Sequence, residues 1–182
     1  EEWKFPTGTF GRIDSSPAFS GVVVYLGRYD GPLFALDAKT GQEEGKSKTG
    51  DQISTSPALS GGLVFFFMLR RPPRSTLFPY TPLYRSFPTG TFGRIDSSPA
   101  ISGEVVYFGS YDGYMYALDA KTGQEEWKFK TGDQISTSPA ISGGVVYFDS
   151  LDDHLYALDA GTGQEEWKFP TGTFGRIDSS PA

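Results

Sequence analysis

The chain has 182 residues and a formal net charge of −6, so no basic face exists to neutralise phosphates and nucleic-acid binding is excluded as a main function. It contains no cysteine, which removes disulfides, thiolate metal sites and a cysteine nucleophile. The longest apolar run, Leu63 to Leu69, is too short to span a bilayer. Aromatic residues make up 15%, with 23 Gly and 13 Pro, a mixture suited to short strands joined by tight turns.

Read in order, the chain is a set of repeats. Ser-Pro-Ala ends at Ala18, Ala58, Ala100, Ala140 and Ala182, spaced by 40, 42, 40 and 42 residues. Four-stranded propeller blades have this period of about 40 residues. The expected organisation is a single partial β-propeller over residues 1–182, with blade units at about 17–56, 57–98, 99–138 and 139–180. In the clearest unit, residues 105–110 read as a β-branched and aromatic strand, and Asp112-Gly113 as a hairpin turn. Residues 114–119 form the next strand, Lys121-Thr122-Gly123 turns the chain, and residues 125–130 form an outer strand. Trp127 and Phe129 then share one face, with Glu126, Lys128 and Lys130 on the other. An inner strand is expected around Ile135 to Ile141, turning through Ser142-Gly143-Gly144.

One motif organises these units. Ala117 to Trp127 reads Ala-x-Asp-x-x-Thr-Gly-x-x-x-Trp; it recurs as Ala157 to Trp167, and as Ala35 to Gly45 with Gly replacing the Trp. A trace survives at Glu1-Glu2-Trp3. The pattern resembles the tryptophan-docking motif of the PQQ-like (pyrroloquinoline-quinone) β-propeller repeat family, which includes quinoprotein dehydrogenases and outer-membrane assembly propellers. The resemblance implies an all-β fold of four-stranded antiparallel blades, about four of them present, as a fragment of a seven- or eight-bladed ring. It implies that Trp127 and Trp167 are wedges between blades, seated on Gly123, Gly163, Ala117 and Ala157. Asp119 with Thr122, and Asp159 with Thr162, would clamp the turns. Residues 1–18 and 165–182 are identical, as expected for a piece cut from a longer array.

Residues 67–86 break the repeat, with Pro72, Pro73, Pro79 and Pro82 where two strands should lie. Three readings stand: a variable loop, a proline-rich ligand segment spaced Pro79-x-x-Pro82, and a stretch that resembles a translated sequencing adapter.

The search for chemistry finds no catalytic, cofactor or metal constellation. His154 is the only histidine and reads as a hairpin residue. Asp149, Asp152 and Asp153 lack the spacing of a calcium loop, and the glycines lack the phosphate-loop pattern. Arg12, Arg94 and Arg176 recur every 82 residues and are the candidates for an anion-facing ring. The resemblance therefore implies a non-catalytic, protein-binding or assembly scaffold of the cell envelope, periplasmic or extracellular, with protein partners and no membrane span. The alternative is a fragment of a PQQ-dependent alcohol or sugar dehydrogenase whose catalytic residues lie outside this chain; only then would PQQ and calcium be bound. The family's calcium shell of Glu and Asn cannot be placed, since the chain has no Asn.

Overall fold

The computed structural model describes residues 3–6, 12–48, 52–53, 55–66 and 94–172. All its regular structure is β, in antiparallel sheets connected in simple chain order. The chain divides into two compact units, Glu1–Ser86 and Phe87–Ala182. Residues 67–86 and Arg176 lie outside the described residues.

Among the described residues, the first unit holds one four-stranded sheet, β1 (Ala18–Ser20), β2 (Val23–Gly27), β3 (Pro32–Asp37) and β4 (Glu43–Lys48). A hairpin follows it, β5 (Ala58–Ser60) and β6 (Leu63–Phe65). The described residues of the second unit form two four-stranded sheets. One is β7 (Ala100–Ser102), β8 (Val105–Gly109), β9 (Tyr114–Asp119) and β10 (Glu125–Lys130). The other is β11 (Ala140–Ser142), β12 (Val145–Ser150), β13 (His154–Asp159) and β14 (Glu165–Pro170).

The burial pattern follows strand position. The third strand β9 is covered on both faces, so Met115 and Ala117 are buried on one side and Tyr116 and Leu118 on the other. The outer strand β10 alternates: Trp127 and Phe129 are half-buried, while Glu126, Lys128 and Lys130 are exposed. In the second unit one core joins the two sheets. Tyr107, Met115 and Ala117 pack with Val146, Phe148, Tyr156 and Leu158, and Trp127, Phe129 and Ile141 close over them. Two equivalent hydrogen bonds link the inner edges of neighbouring sheets. Ser16 N donates to Ser56 Oγ, and Ser98 N to Ser138 Oγ, each at 2.8 Å.

The inner strand is shorter than its sequence suggests. Rather than running from Ile135 to Ile141, it is limited to Ala140–Ser142. Pro139 removes a ladder donor, and the preceding residues take other roles. Thr137 Oγ1 donates to Asp149 O at 3.1 Å, and Ile135 is fully buried beside Gly109. A Cβ at Gly109 would lie 2.1 Å from Ile135 Cγ2, so the strand approaches only because that residue is glycine. The β12–β13 hairpin bends at Asp153 with φ of 65°, where β8–β9 uses Gly113 at 78°. Asp is among the few side chains that tolerate this left-handed region.

Candidate functional site: the seams between blades

The repeated motif builds a turn and a seat. At the β9–β10 turn, Asp119 Oδ1 accepts from Thr122 N and Thr122 Oγ1, both at 2.6 Å, and from Lys121 N at 3.1 Å. The Thr122 hydroxyl in turn accepts from Gln124 N at 3.2 Å. Asp37 with Thr40, and Asp159 with Thr162, repeat the arrangement. The threonine hydroxyl first, then the backbone amides, hold all three carboxyls below the ordinary value of 3.8. Gly41, Gly123 and Gly163 follow with positive φ, each donating its N–H to the carbonyl of its own Asp at 2.8 Å.

The turn glycine of one sheet receives the tryptophan of its neighbour. Trp127 lies against Gly163 so closely that a Cβ there would meet Trp127 Cδ2 at 2.6 Å. Trp127 Nε1 donates to Ala160 O at 2.9 Å, and the same carbonyl accepts from Tyr107 OH at 3.0 Å. The Tyr107 ring sits 5.8 Å from Trp127, and Phe129 meets the Tyr156 ring edge-on at 5.6 Å. In the first unit, Trp3 repeats the contact. Its Nε1 donates to Ala38 O at 3.0 Å, and a Cβ on Gly41 would lie 2.5 Å from Trp3 Cε3. Phe5 stands edge-on to Phe34 at 5.3 Å.

The expected site residues fall into three groups. Trp127, Gly163, Asp159 and Thr162 meet at one seam. Ala117 and Ala157 are instead cross-strand partners of the tryptophan in their own sheet, opposite Trp127 and Trp167 respectively. Trp167 is 43% exposed, and Gly123 lies in the turn held by Asp119 and Thr122. The residues missed by sequence reasoning are Ala38 and Ala160, whose contribution is a backbone carbonyl, and Tyr107. Their repeat positions were visible, but nothing in a residue's identity advertises its carbonyl.

The polar candidates are engaged locally. Arg12 pairs with Asp14 and Arg94 with Asp96, at 2.5 and 2.8 Å, and each guanidinium lies over a tyrosine, Tyr29 or Tyr111. Tyr111 OH also donates to Asp96 Oδ2 at 2.9 Å. His154 Nδ1 donates to Asp152 O at 2.8 Å, which fixes the proton on that nitrogen. Asp152 Oδ2 accepts from Gly132 N and Tyr156 OH, both at 2.7 Å. Ser150 pairs across the strands with His154, yet its hydroxyl donates to Asp133 O at 3.2 Å, so no nucleophile–base pair forms. Asp149 is buried in β12 and Asp153 occupies the hairpin bend; among the described residues no three His, Cys, Asp or Glu side chains gather around a metal position.

Comparison with known proteins gives four findings. A family profile described as outer membrane protein assembly factor BamB matches residues 74–180. The outer membrane protein assembly factor BamB of Burkholderia pseudomallei is 29% identical over 129 residues, covering 70% of this chain and 33% of that protein. A quinoprotein ethanol dehydrogenase of Pseudomonas aeruginosa is 53% identical over 36 residues, 20% of this chain and 6% of the other. The crystal structure of BamB from Moraxella catarrhalis shares the fold, with a TM-score of 0.62 and 22% identity over 86% of this chain and 52% of that one. The chain thus spans about a third of the Burkholderia relative's length.

Proposed function

From the premise that this chain belongs to the family described as outer membrane protein assembly factor BamB, we propose that it is a non-catalytic, protein-binding scaffold of the cell envelope. The observation that carries this reading is the use to which the repeat puts its functional groups. Each motif carboxylate is filled by its own turn's hydroxyl and amides, and Trp3 and Trp127 are seated in seams. What the blades present outward is strand edges and hairpin turns, surfaces suited to other proteins. The setting would be periplasmic or extracellular. No helix among the described residues is long and apolar enough to cross a membrane.

The second reading, a piece of a quinoprotein dehydrogenase, is favoured by short matches to quinoprotein alcohol dehydrogenases, each over 36 residues. Bound PQQ with calcium belongs to that reading, and the described residues do not fit it. Arg12 and Arg94, the candidates to face its carboxylates, are each paired with an aspartate, and Trp127 is taken by Gly163.

A photo-reactive side chain at exposed Lys121 or Arg94, expressed in a Gram-negative envelope, tests the scaffold reading. An adduct with a component of outer-membrane protein assembly is expected. Calorimetry with PQQ and calcium, run beside a dye-linked dehydrogenase assay, supplies the opposing outcome. Submicromolar binding with turnover would replace the scaffold by the enzyme.

A further inference from the structure

The two sheets of the second unit each bend between their second and third strands, and different side chains fasten the two hairpins. At β8–β9, Lys130 Nζ donates to Asp112 O at 2.6 Å and lies 4.5 Å from the centre of the Tyr114 ring, its cross-strand partner. Both oxygens of the Asp112 carboxylate are engaged. Oδ1 accepts from Tyr114 N at 3.1 Å and Oδ2 from Tyr116 OH at 2.7 Å. At β12–β13 the same cross-strand pair is His154 and Pro170. Proline has no cation to offer, and His154 Nδ1 donates to Asp152 O instead, at 2.8 Å. At the equivalent carbonyl, an ammonium has given way to an imidazole.

The second hairpin is the less settled of the two. Its bend is Asp153 at φ 65°, where the first has a glycine. Asp152 Oδ2 accepts from Tyr156 OH and Gly132 N, but Oδ1 is buried with no hydrogen-bond partner. A buried acceptor left without a donor is costly. His154 Nδ1 lies 3.5 Å from that oxygen. The bond from Gly132 reaches beyond the hairpin. With Leu151 N to Gln134 O at 2.9 Å and Ser150 Oγ to Asp133 O at 3.2 Å, it fastens β12–β13 to the loop joining β10 to β11. All these groups lie between two sheets that share one core.

We propose that His154 is a pH-responsive latch: once protonated it holds Asp152 through Oδ1 as well as through the carbonyl, and tightens the β12–β13 hairpin onto the loop at 131–134. Imidazole is the side chain that ordinarily changes charge between about pH 5 and 8. The incoming proton goes to Nε2, since Nδ1 already carries one toward Asp152 O. The added charge makes the Nδ1 bond a charge-assisted one, which is shorter and stronger. It also sets a cation beside the carboxylate oxygen that lacks a donor. Among the described residues, the titratable groups on the surrounding elements are mainly anionic. They are Asp152 and Asp153 in the hairpin, Asp149 on β12, Asp133 in the facing loop, Tyr156 on β13 and Lys168 opposite it on β14. The latch acts within one seam and is independent of what the molecule binds.

Amide hydrogen exchange on the full chain, resolved by residue and corrected for the intrinsic rate at each pH, tests this. Protection of the Gly132 N–H is expected to rise about two- to fivefold from about pH 8 to about pH 5, the scale of a partly exposed ion pair. The Tyr114 N–H, in the hairpin fastened by lysine, should not follow it. His154→Tyr, which installs the residue found at this place in β9, should abolish the rise. His154→Lys, a permanent cation, should give high protection at both pH values. Equal protection of Gly132 at both pH values in the unaltered chain would overturn the proposal, as would a rise that survives His154→Tyr. Should the variants lose their β circular dichroism, the unaltered chain decides. His154 is its only histidine, so the midpoint of the Gly132 rise must coincide with the ring titration followed by NMR, or the proposal fails.

Discussion

β10 and β14 begin with the same five residues, Glu-Glu-Trp-Lys-Phe, and meet different fates. Trp127 reaches a neighbour's turn, donates to its carbonyl and closes a core; Trp167 rests beside Tyr147 at 6.0 Å and is 43% exposed. Yet the two strands keep one register. Trp127 opposes Ala117 and Trp167 opposes Ala157, and the pairing is irregular at the same place in each. Strand, turn and register are therefore set within a sheet, by the Asp–Thr clamp and the ladder. The tryptophan acts one sheet further on, so its energy depends on whether a neighbour is there. The motif divides into a local half and a non-local half.

Truncating the two tryptophans should separate those halves most sharply. Trp127→Ala removes a wedge, a hydrogen bond and ring contacts, and should cost roughly 3 kcal/mol in chemical denaturation. Trp167→Ala, in the same strand context, should cost under about 1 kcal/mol, as for other exposed positions. Equal losses would mean that the strand, not the seam, uses the indole.

The seat can be broken from the other side. Gly163→Ala imposes left-handed strain and drives a methyl to 2.6 Å from the Trp127 ring, whereas Gly143→Ala has the same sign of φ and nothing within 4 Å. The strain alone costs about 1–2 kcal/mol, which Gly143→Ala should show in its denaturation midpoint. Gly163→Ala should exceed it by a further ~1–2 kcal/mol, the scale of overpacking in a filled site.

What was legible in the sequence follows the same division. Period, strand order and the polar face of β10 could be read because each depends on neighbours along the chain or across one hairpin. The short inner strand was not legible: Ile135 to Ile141 is β-rich, but Ile135 is drawn out of the ladder by packing against Gly109, some 26 residues earlier. Likewise Ala117 reads as a seat, since small residues suit close approach, while the group that meets the neighbouring tryptophan is the carbonyl of Ala160. A side-chain alphabet records no carbonyl direction.

The clamps give a smaller effect, dependent on pH. Asp37, Asp119 and Asp159 are held below their ordinary 3.8 by bonds formed only in the folded turn. A carboxyl depressed on folding stabilises the fold above its unfolded value, and that contribution disappears as pH falls through the folded value. Denaturant midpoints should therefore be flat above this range and decline below 3.8, and Asp119→Asn should make the decline shallower. An unchanged acid profile in that variant would assign the turn's stability to its backbone bonds.

The smallest expected effect concerns β4, where Gly45 opposes Ala35 as Trp127 opposes Ala117. A Cβ at Gly45 would find only Ala35 Cβ, at 3.8 Å, so the described surroundings have room for a side chain. Room is not a seat, however. One repeat pair earlier than Asp159, Ala160 and Gly163, the sequence carries Leu77, Phe78 and Thr81. The clamp carboxylate is gone, and the glycine whose missing Cβ admits the indole has become a β-branched residue that disfavours positive φ. Gly45→Trp alone should thus leave the melting temperature within about 2 °C, because a wedge without its receiver gains little beyond strand propensity. Restoring Leu77→Asp, Phe78→Ala and Thr81→Gly together with Gly45→Trp should raise it beyond the sum of the two changes made separately. That coupling is the quantity a double-mutant cycle isolates. Simple additivity would place the stabilising role of the motif inside each sheet and would erase the distinction between β10 and β14.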